Sequence, residues 1–290
     1  MLNEYEQVVK PLFDEQPEVF PPEHFGLEGY VWALEIVLSR SMVLAYDDVT
    51  LPVLVPVVEL FNHDHVSSEA VANHTSGRFT VTAGRDYTEG EQVFVNSRPR
   101  RGNLALMVLG GFALPNNPFD LAEVRFGLDV GRDLLGEQRV KLLASMLGTP
   151  EAGAGAAAGE KYFRLQFARG TLLPPAALAA ARVMALRPSE LDAAAGIAQG
   201  RRVSLENELA AHRWLLAAIQ ARLKRYASTV AEDDARLQTP VSKQQAFATL
   251  YRRGEKAALM DASANVAENW GALLLEGFDT APAPAASRRG

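Results

Sequence analysis

The sequence predicts an α+β protein with its strands confined to the first half and helices filling the second. Three observations carry this. Short runs rich in β-branched and aromatic residues, bounded by Gly, Asp, Asn or Ser, fall between residues 53 and 112. From about residue 130 onward, apolar positions recur at three-to-four spacing. The strand-like pieces do not alternate with helices as a repeating βαβ array would.

Residues 1–45 read as helical. Leu27, Tyr30, Val31, Leu34, Val37 and Leu38 form one apolar stripe that ends at Ser39-Arg40, and Pro21-Pro22 divides the region into two helices. Arg40 at a helix end is favoured by the negative end of the helix dipole, a purely structural role. The run Leu54–Val58 then predicts a buried strand that delivers Glu59, Asn62 and His63 to a loop leaving a sheet. Taken alone, Asn62-His63 reads as a plain turn, and Glu59 also fits a solvated strand end. Strands are expected at Arg78–Thr82 and Glu91–Val95, joined by the polar connection Gly84–Glu91. Asn103 opens a short apolar helix that Gly110-Gly111 closes as a C-cap.

The second half carries a seam of Leu205, Leu209, His212, Leu216, Ile219, Leu223 and Tyr226. His212 within it predicts a packed, hydrogen-bonded core histidine. Thr239-Pro240 predicts a helix start, followed by Phe247, Leu250 and Tyr251. The low-complexity stretch Glu151–Gly159 predicts a mobile connection, and Ala281–Gly290 a disordered tail.

Composition narrows the functional classes. The chain is 48% hydrophobic and 22% charged, with a net charge of −6, so it is not built for general nucleic-acid affinity. It has no cysteine, which excludes disulfides and thiolate metal clusters and fits a reducing compartment. No apolar run approaches the roughly 20 residues of a membrane span. The start, Met1-Leu2-Asn3-Glu4, lacks the basic residues of a targeting signal. Chloroplast, cytoplasm and nucleus stay equally open. His63, Asp64, His65 and His74 match no familiar metal-ligand spacing, and no metal is expected.

The order of pieces resembles a known family. Trp32-Ala33, Ser39-Arg40, Leu54-Val55-Pro56 and Glu59-Leu60-Phe61-Asn62-His63 are similar to the core of SET-domain lysine methyltransferases of the Rubisco large-subunit subgroup. Glu89–Phe94 and Asn103–Phe112 fit that family's next two motifs. Asn207-Glu208, Tyr226, Glu232-Asp233 and Arg253-Gly254-Glu255-Lys256 resemble its helical substrate-binding domain. The resemblance implies a partial SET domain over 1–125, with a helical insertion at 1–45 and a core at 46–125. An all-α substrate-binding domain would follow over 126–276, and a disordered tail over 277–290. It implies a protein-lysine N-methyltransferase using S-adenosylmethionine, with Arg40, Asn62 and His63 on the cofactor and Ser39 and Glu59 near the incoming lysine. The implied partner is a lysine-bearing protein held by the helical domain, with neither nucleic acid nor membrane involved.

Departures from the family pattern temper the expected activity. Gly110 stands where the family has its catalytic tyrosine, Ser97 where it has another tyrosine, and Met42 where it has an aromatic residue. No glycine-rich cofactor turn is recognisable before residue 25, so the domain reads as N-terminally incomplete. Weak or absent turnover is the expectation, and a non-catalytic protein-binding module on a degenerate SET scaffold is the alternative.

Overall fold

The computed structural model describes residues 2–46, 49–65, 68–73, 77–151 and 159–280. Its contacts divide the chain into two compact units, Met1–Leu114 and Pro115–Gly290. The division falls ahead of a strand that contains residue 125, because that strand pairs with a partner further along the chain.

The first unit opens with α1 (Leu2–Glu4), a π-helical turn (Tyr5–Val9) and α2 (Lys10–Glu15), which run on without a break. The helical run has ended before Pro21-Pro22, and α3 (Leu27–Arg40) resumes after Gly26. Helix then gives way to β1 (Met42–Tyr46), which pairs antiparallel with β2 (Val49–Val53). The expected helix therefore stops at Arg40, where the chain extends at Ser41 (ψ 144°). The expected strand over Leu54–Val58 is not formed. Pro56 has no N–H to give a ladder, and Val57 adopts φ 73°, a strained conformation for a β-branched residue. A 3₁₀ turn, Val58–Leu60, follows this corner.

β3 (Asn62–His63) pairs in parallel with β6 (Phe94–Val95), and β4 (Glu69–Asn73) pairs antiparallel with β5 (Arg78–Thr82). The strand expected over Glu91–Val95 is thus shortened to its last two residues. α4 (Asn103–Gly110) forms as its apolar run requires, and Gly111 closes it at φ 70° with its N–H on the Met107 carbonyl at 3.1 Å.

The second unit is mainly helical, but it is built on a β-ribbon. β7 (Leu121–Asp129) and β8 (Glu160–Ala168) pair over nine residues each. Ala122, Val124, Phe126 and Leu128 alternate inward with Phe163, Leu165 and Phe167. Reading this region as almost wholly helical overlooks that period of two. α5 (Gly136–Leu147), α6 (Pro175–Met184), a 3₁₀ segment (Pro188–Gln199), α7 (Leu205–Leu223), α8 (Val230–Leu237) and α9 (Lys243–Thr280) complete the unit.

The buried stripe of α7 is Glu208, Ala211, His212, Leu215 and Ile219, one step around the helix from the coiled-coil seam, and Tyr226 lies past its end. His212 is a core residue, 2% exposed, with Nδ1 2.9 Å from the Glu208 carbonyl. α9 begins at Lys243 rather than at Thr239. Ser242 and Gln245 exchange side-chain and backbone bonds as a capping box, whereas the Thr239 hydroxyl donates back to Arg236 O. α9 continues to Thr280, so the expected tail starts inside a helix; residues 281–290 and 152–158 lie outside the described residues.

Candidate functional site

The candidate site belongs to the first unit and is built around His63. In β3, successive side chains face opposite sides, so His63 turns inward at 8% exposure while Asn62 stays exposed. The two side chains thus leave the strand on opposite sides. Around the imidazole sit Ser97, whose Oγ lies 3.4 Å from Nδ1, the His65 ring at 4.9 Å edge-on, and the Phe112 ring at 5.7 Å. His63 Nε2 has no hydrogen-bond partner among the described residues.

Arg40 leaves the end of α3 and donates from Nη1 to the Glu59 carbonyl at 3.1 Å. This bond ties the helix end to the turn before β3. Arg40 is exposed, and among the described residues no carboxylate neutralises it. Ser39 points its hydroxyl back to the Ile36 carbonyl at 3.5 Å, inside its own helix. The Glu59 carboxylate keeps one buried oxygen, Oε2, with no partner among the described residues.

Sequence reasoning overlooked other members of this corner. Asn96 follows β6 directly, donates its backbone N–H to Ser68 Oγ at 2.7 Å, and holds a buried Oδ1 without a partner among the described residues. Arg98 donates to the Leu38 carbonyl, a second link to α3. Asn103 is 1% exposed and braces the segment after α4, with Nδ2 donating to Leu114 O at 2.9 Å and Oδ1 accepting from Leu114 N–H at 2.8 Å. That brace folds Phe112 back toward the imidazole. Asn96 followed a strand-like run in the sequence, but nothing local marked its side chain as buried.

Burial, followed by the neighbouring His65, lowers the His63 pKa to about 4. The imidazole is therefore neutral near pH 7. The unfolded chain binds this proton near pH 6.5 and the folded chain only near 4, so stability falls as pH drops through that window. Going from pH 7 to pH 5 is expected to remove on the order of 1–2 kcal/mol through this group. Urea unfolding of the parent and His63→Gln at both pH values checks it: the variant should show a shallower drop, and equal drops would refute the assignment.

Among the described residues no group of three or more His, Asp or Glu side chains is placed to hold a metal ion, and His74 lies outside them. No helix among the described residues is long and apolar enough to cross a membrane.

A short-stranded unit whose imidazole corner is closed by a braced helix, followed by a helical unit on a ribbon, is the fold of the SET proteins of the Rubisco LSMT type. Residues 131–259 match the family described as Rubisco LSMT substrate-binding. The fold is similar to the crystal structure of the SET domain of LSMT bound to lysine and AdoHcy, with TM-score 0.65, 21% identity, and coverage of 94% of this chain and 61% of that one. Rubisco LSMT bound to AdoMet aligns with TM-score 0.64 and 20% identity, over 94% of this chain and 61% of that one. Among curated proteins, the actin-histidine N-methyltransferase of Xenopus tropicalis is 26% identical over 265 residues, covering 85% of this chain and 43% of its own length. That of Mus musculus is 27% identical over 266 residues, covering 85% of this chain and 42% of its own. The chain spans a little under half the length of these relatives.

Proposed function

We propose that this chain is a protein N-methyltransferase of SET type that binds S-adenosylmethionine and modifies a nitrogen on a protein side chain. The single observation that carries this is the buried, neutral His63 imidazole, whose Nε2 lacks a partner among the described residues. A polar atom buried without a partner costs about 1–3 kcal/mol, which a bound ligand relieves. Glu59 Oε2 and Asn96 Oδ1 are acceptors in the same condition.

These groups fit the cofactor's chemistry. A neutral imidazole does not repel a sulfonium, and acceptors such as Asn96 Oδ1 suit an adenine amine. Arg40, free of carboxylates among the described residues, suits the cofactor's own carboxylate through charge-assisted hydrogen bonds. When bound, S-adenosylmethionine supplies a methyl group activated by its sulfonium. The Glu59 carboxylate would attract the incoming amine as an ammonium and accept the proton that the ammonium gives up before its lone pair attacks the methyl group. The solved neighbours carry AdoHcy or AdoMet, in keeping with this use.

The acceptor is a lysine amine or a histidine ring nitrogen. The lysine reading comes from the SET resemblance and the lysine-bound neighbour, and the histidine reading from the curated relatives' names. Gly110 provides no hydroxyl, so slow transfer is expected, and that same residue favours a second reading as a non-catalytic protein-binding module.

Calorimetry with S-adenosylmethionine tests the first reading. Measurable binding is expected, weakened about tenfold or more by His63→Ala or Arg40→Ala, the loss of one or two hydrogen bonds. Labelled cofactor with candidate proteins, each in parent, acceptor Lys→Arg and acceptor His→Ala forms, then identifies the nitrogen. Absence of cofactor affinity would overturn the enzyme reading and leave the binding module.

A further inference from the structure

The residues of the helical unit that fit the family pattern are engaged in holding its helices together. Asn207 Nδ2 donates to Arg182 O, Glu208 pairs with Arg182, Tyr226 donates to Glu255, and Lys256 pairs with Asp233. Recognition of a partner must therefore use other residues, and one cleft offers them. It has a volume of about 280 Å³ and lies between β7 and α7, lined by Arg125, Gly127, Trp214, Ala221, Arg222 and Arg225 among others.

Two features of this cleft point to its occupant. The first is an open strand edge. Arg169 N–H bonds to Asp120 O and Val130 N–H to Gly159 O, so the even-numbered residues of β7 bond to β8. Glu123, Arg125 and Gly127 then turn their backbone groups to the other edge. Arg222 confirms that direction, because its Nε donates to the Glu123 carbonyl at 3.2 Å. The second feature is charge. Arg222 is balanced by Glu255 at 3.5 Å, but among the described residues neither Arg125 nor Arg225 pairs with a carboxylate. Arg125 instead lies 4.1 Å over the Tyr162 ring. A local arginine cluster over a Trp214 floor, in a chain of net charge −6, selects a negatively charged guest.

We propose that this cleft docks an extended, acidic segment of the protein substrate, adding to the β7 edge at Arg125 and Gly127 while its carboxylates meet Arg125 and Arg225. Strand addition supplies the backbone affinity and the arginines the selectivity. The inference rests on the reading that the chain acts on a protein, but its test needs no methyl transfer.

Fluorescence anisotropy of the full chain with a labelled Glu-Val repeat peptide, its Lys-Val counterpart, and a Glu-Val peptide N-methylated along one edge provides that test. The Glu-Val peptide is expected to bind at least about tenfold more tightly than either of the others. Arg125→Glu combined with Arg225→Glu should weaken it by a similar factor, and Ala221→Trp should block it sterically without touching the charges. Equal binding of the acidic and basic peptides, or indifference to both variants, would overturn the proposal. So would displacement by single-stranded RNA coupled with tolerance of N-methylation, which would mark a general polyanion surface. His63→Ala should leave peptide affinity unchanged, so a failure of the cofactor reading and a failure of this one give different results.

Discussion

Lys256→Met is expected to lower the free energy of unfolding by about 3–5 kcal/mol, because it strands a buried carboxylate. Lys256 and Asp233 have side-chain exposures of 3% and 1%, with Nζ and Oδ2 2.5 Å apart. The contact acts as an ion pair, since Asp233 Oδ2 meets no aligned hydrogen bond. The ammonium also donates to Ser228 O at 2.8 Å and Thr229 O at 2.9 Å. Those carbonyls precede α8, whose start is fixed by the Thr229–Glu232 capping box. One amine thus ties the middle of α9 to the entry of α8. Arg252 stands 3.6 Å from Asp233 but is 44% exposed, too solvated to replace it. Removing both charges, in Asp233→Leu with Lys256→Met, should recover part of the loss, since no buried charge is left unpaired, while Ser228 O and Thr229 O still lose their donor. Urea unfolding of the single and double variants decides the matter. A single variant within about 1 kcal/mol of the parent would show that water compensates the carboxylate.

This pair also shows what the sequence made legible. Glu232-Asp233 and Arg253-Gly254-Glu255-Lys256 stood out by resemblance, and each proves to have a structural cause. Asp233 meets Lys256, Glu232 caps α8, Arg253 pairs with Asp234, and Gly254 leaves no room for a side chain, since a Cβ there would lie 1.9 Å from Asp120 Oδ2. Long-range pairs of this kind survive in a single sequence only as isolated polar residues in helical runs. The fold class was readable because helical periodicity and β-branched runs are local signals. The ribbon was missed although its alternation is clean, because Ala122 and Gly127 dilute the apolar run and an eight-residue Ala/Gly stretch at 152–159 hides its partner.

At the candidate site, His63 stood out in the sequence as part of a loop or turn, whereas the structure holds it in β3, and its neighbours were not legible. The burial of Asn96 and the brace made by Asn103 depend on segments that meet only in three dimensions. The mistaken strand over Leu54–Val58 has a different cause. Val-rich composition outvoted Pro56, although proline in a central strand argues against the strand itself. Glu59 instead sits in a turn before β3, and the Arg40 bond to its carbonyl ties that turn to the end of α3.

Gly110→Tyr carries the largest expected effect on activity. A Cβ at position 110 would lie 2.5 Å from Phe112 Cε1 and 2.9 Å from Cδ1, so any side chain there must displace that ring. The ring is also the one that rests 5.7 Å from His63. Both Gly110→Tyr and Gly110→Phe should therefore lower stability by about 1–3 kcal/mol, the usual cost of overpacking. Only the tyrosine adds a hydroxyl where the family resemblance places its catalytic group. A preorganised polar group of that kind is worth on the order of 10²–10³ in rate. Turnover at saturating S-adenosylmethionine is expected to rise by about 10² in Gly110→Tyr and to stay at the parent level in Gly110→Phe. The comparison cancels the steric cost, since the two side chains differ by one oxygen. If both variants bind the cofactor and transfer methyl at the same rate, the missing phenol is not what limits this chain.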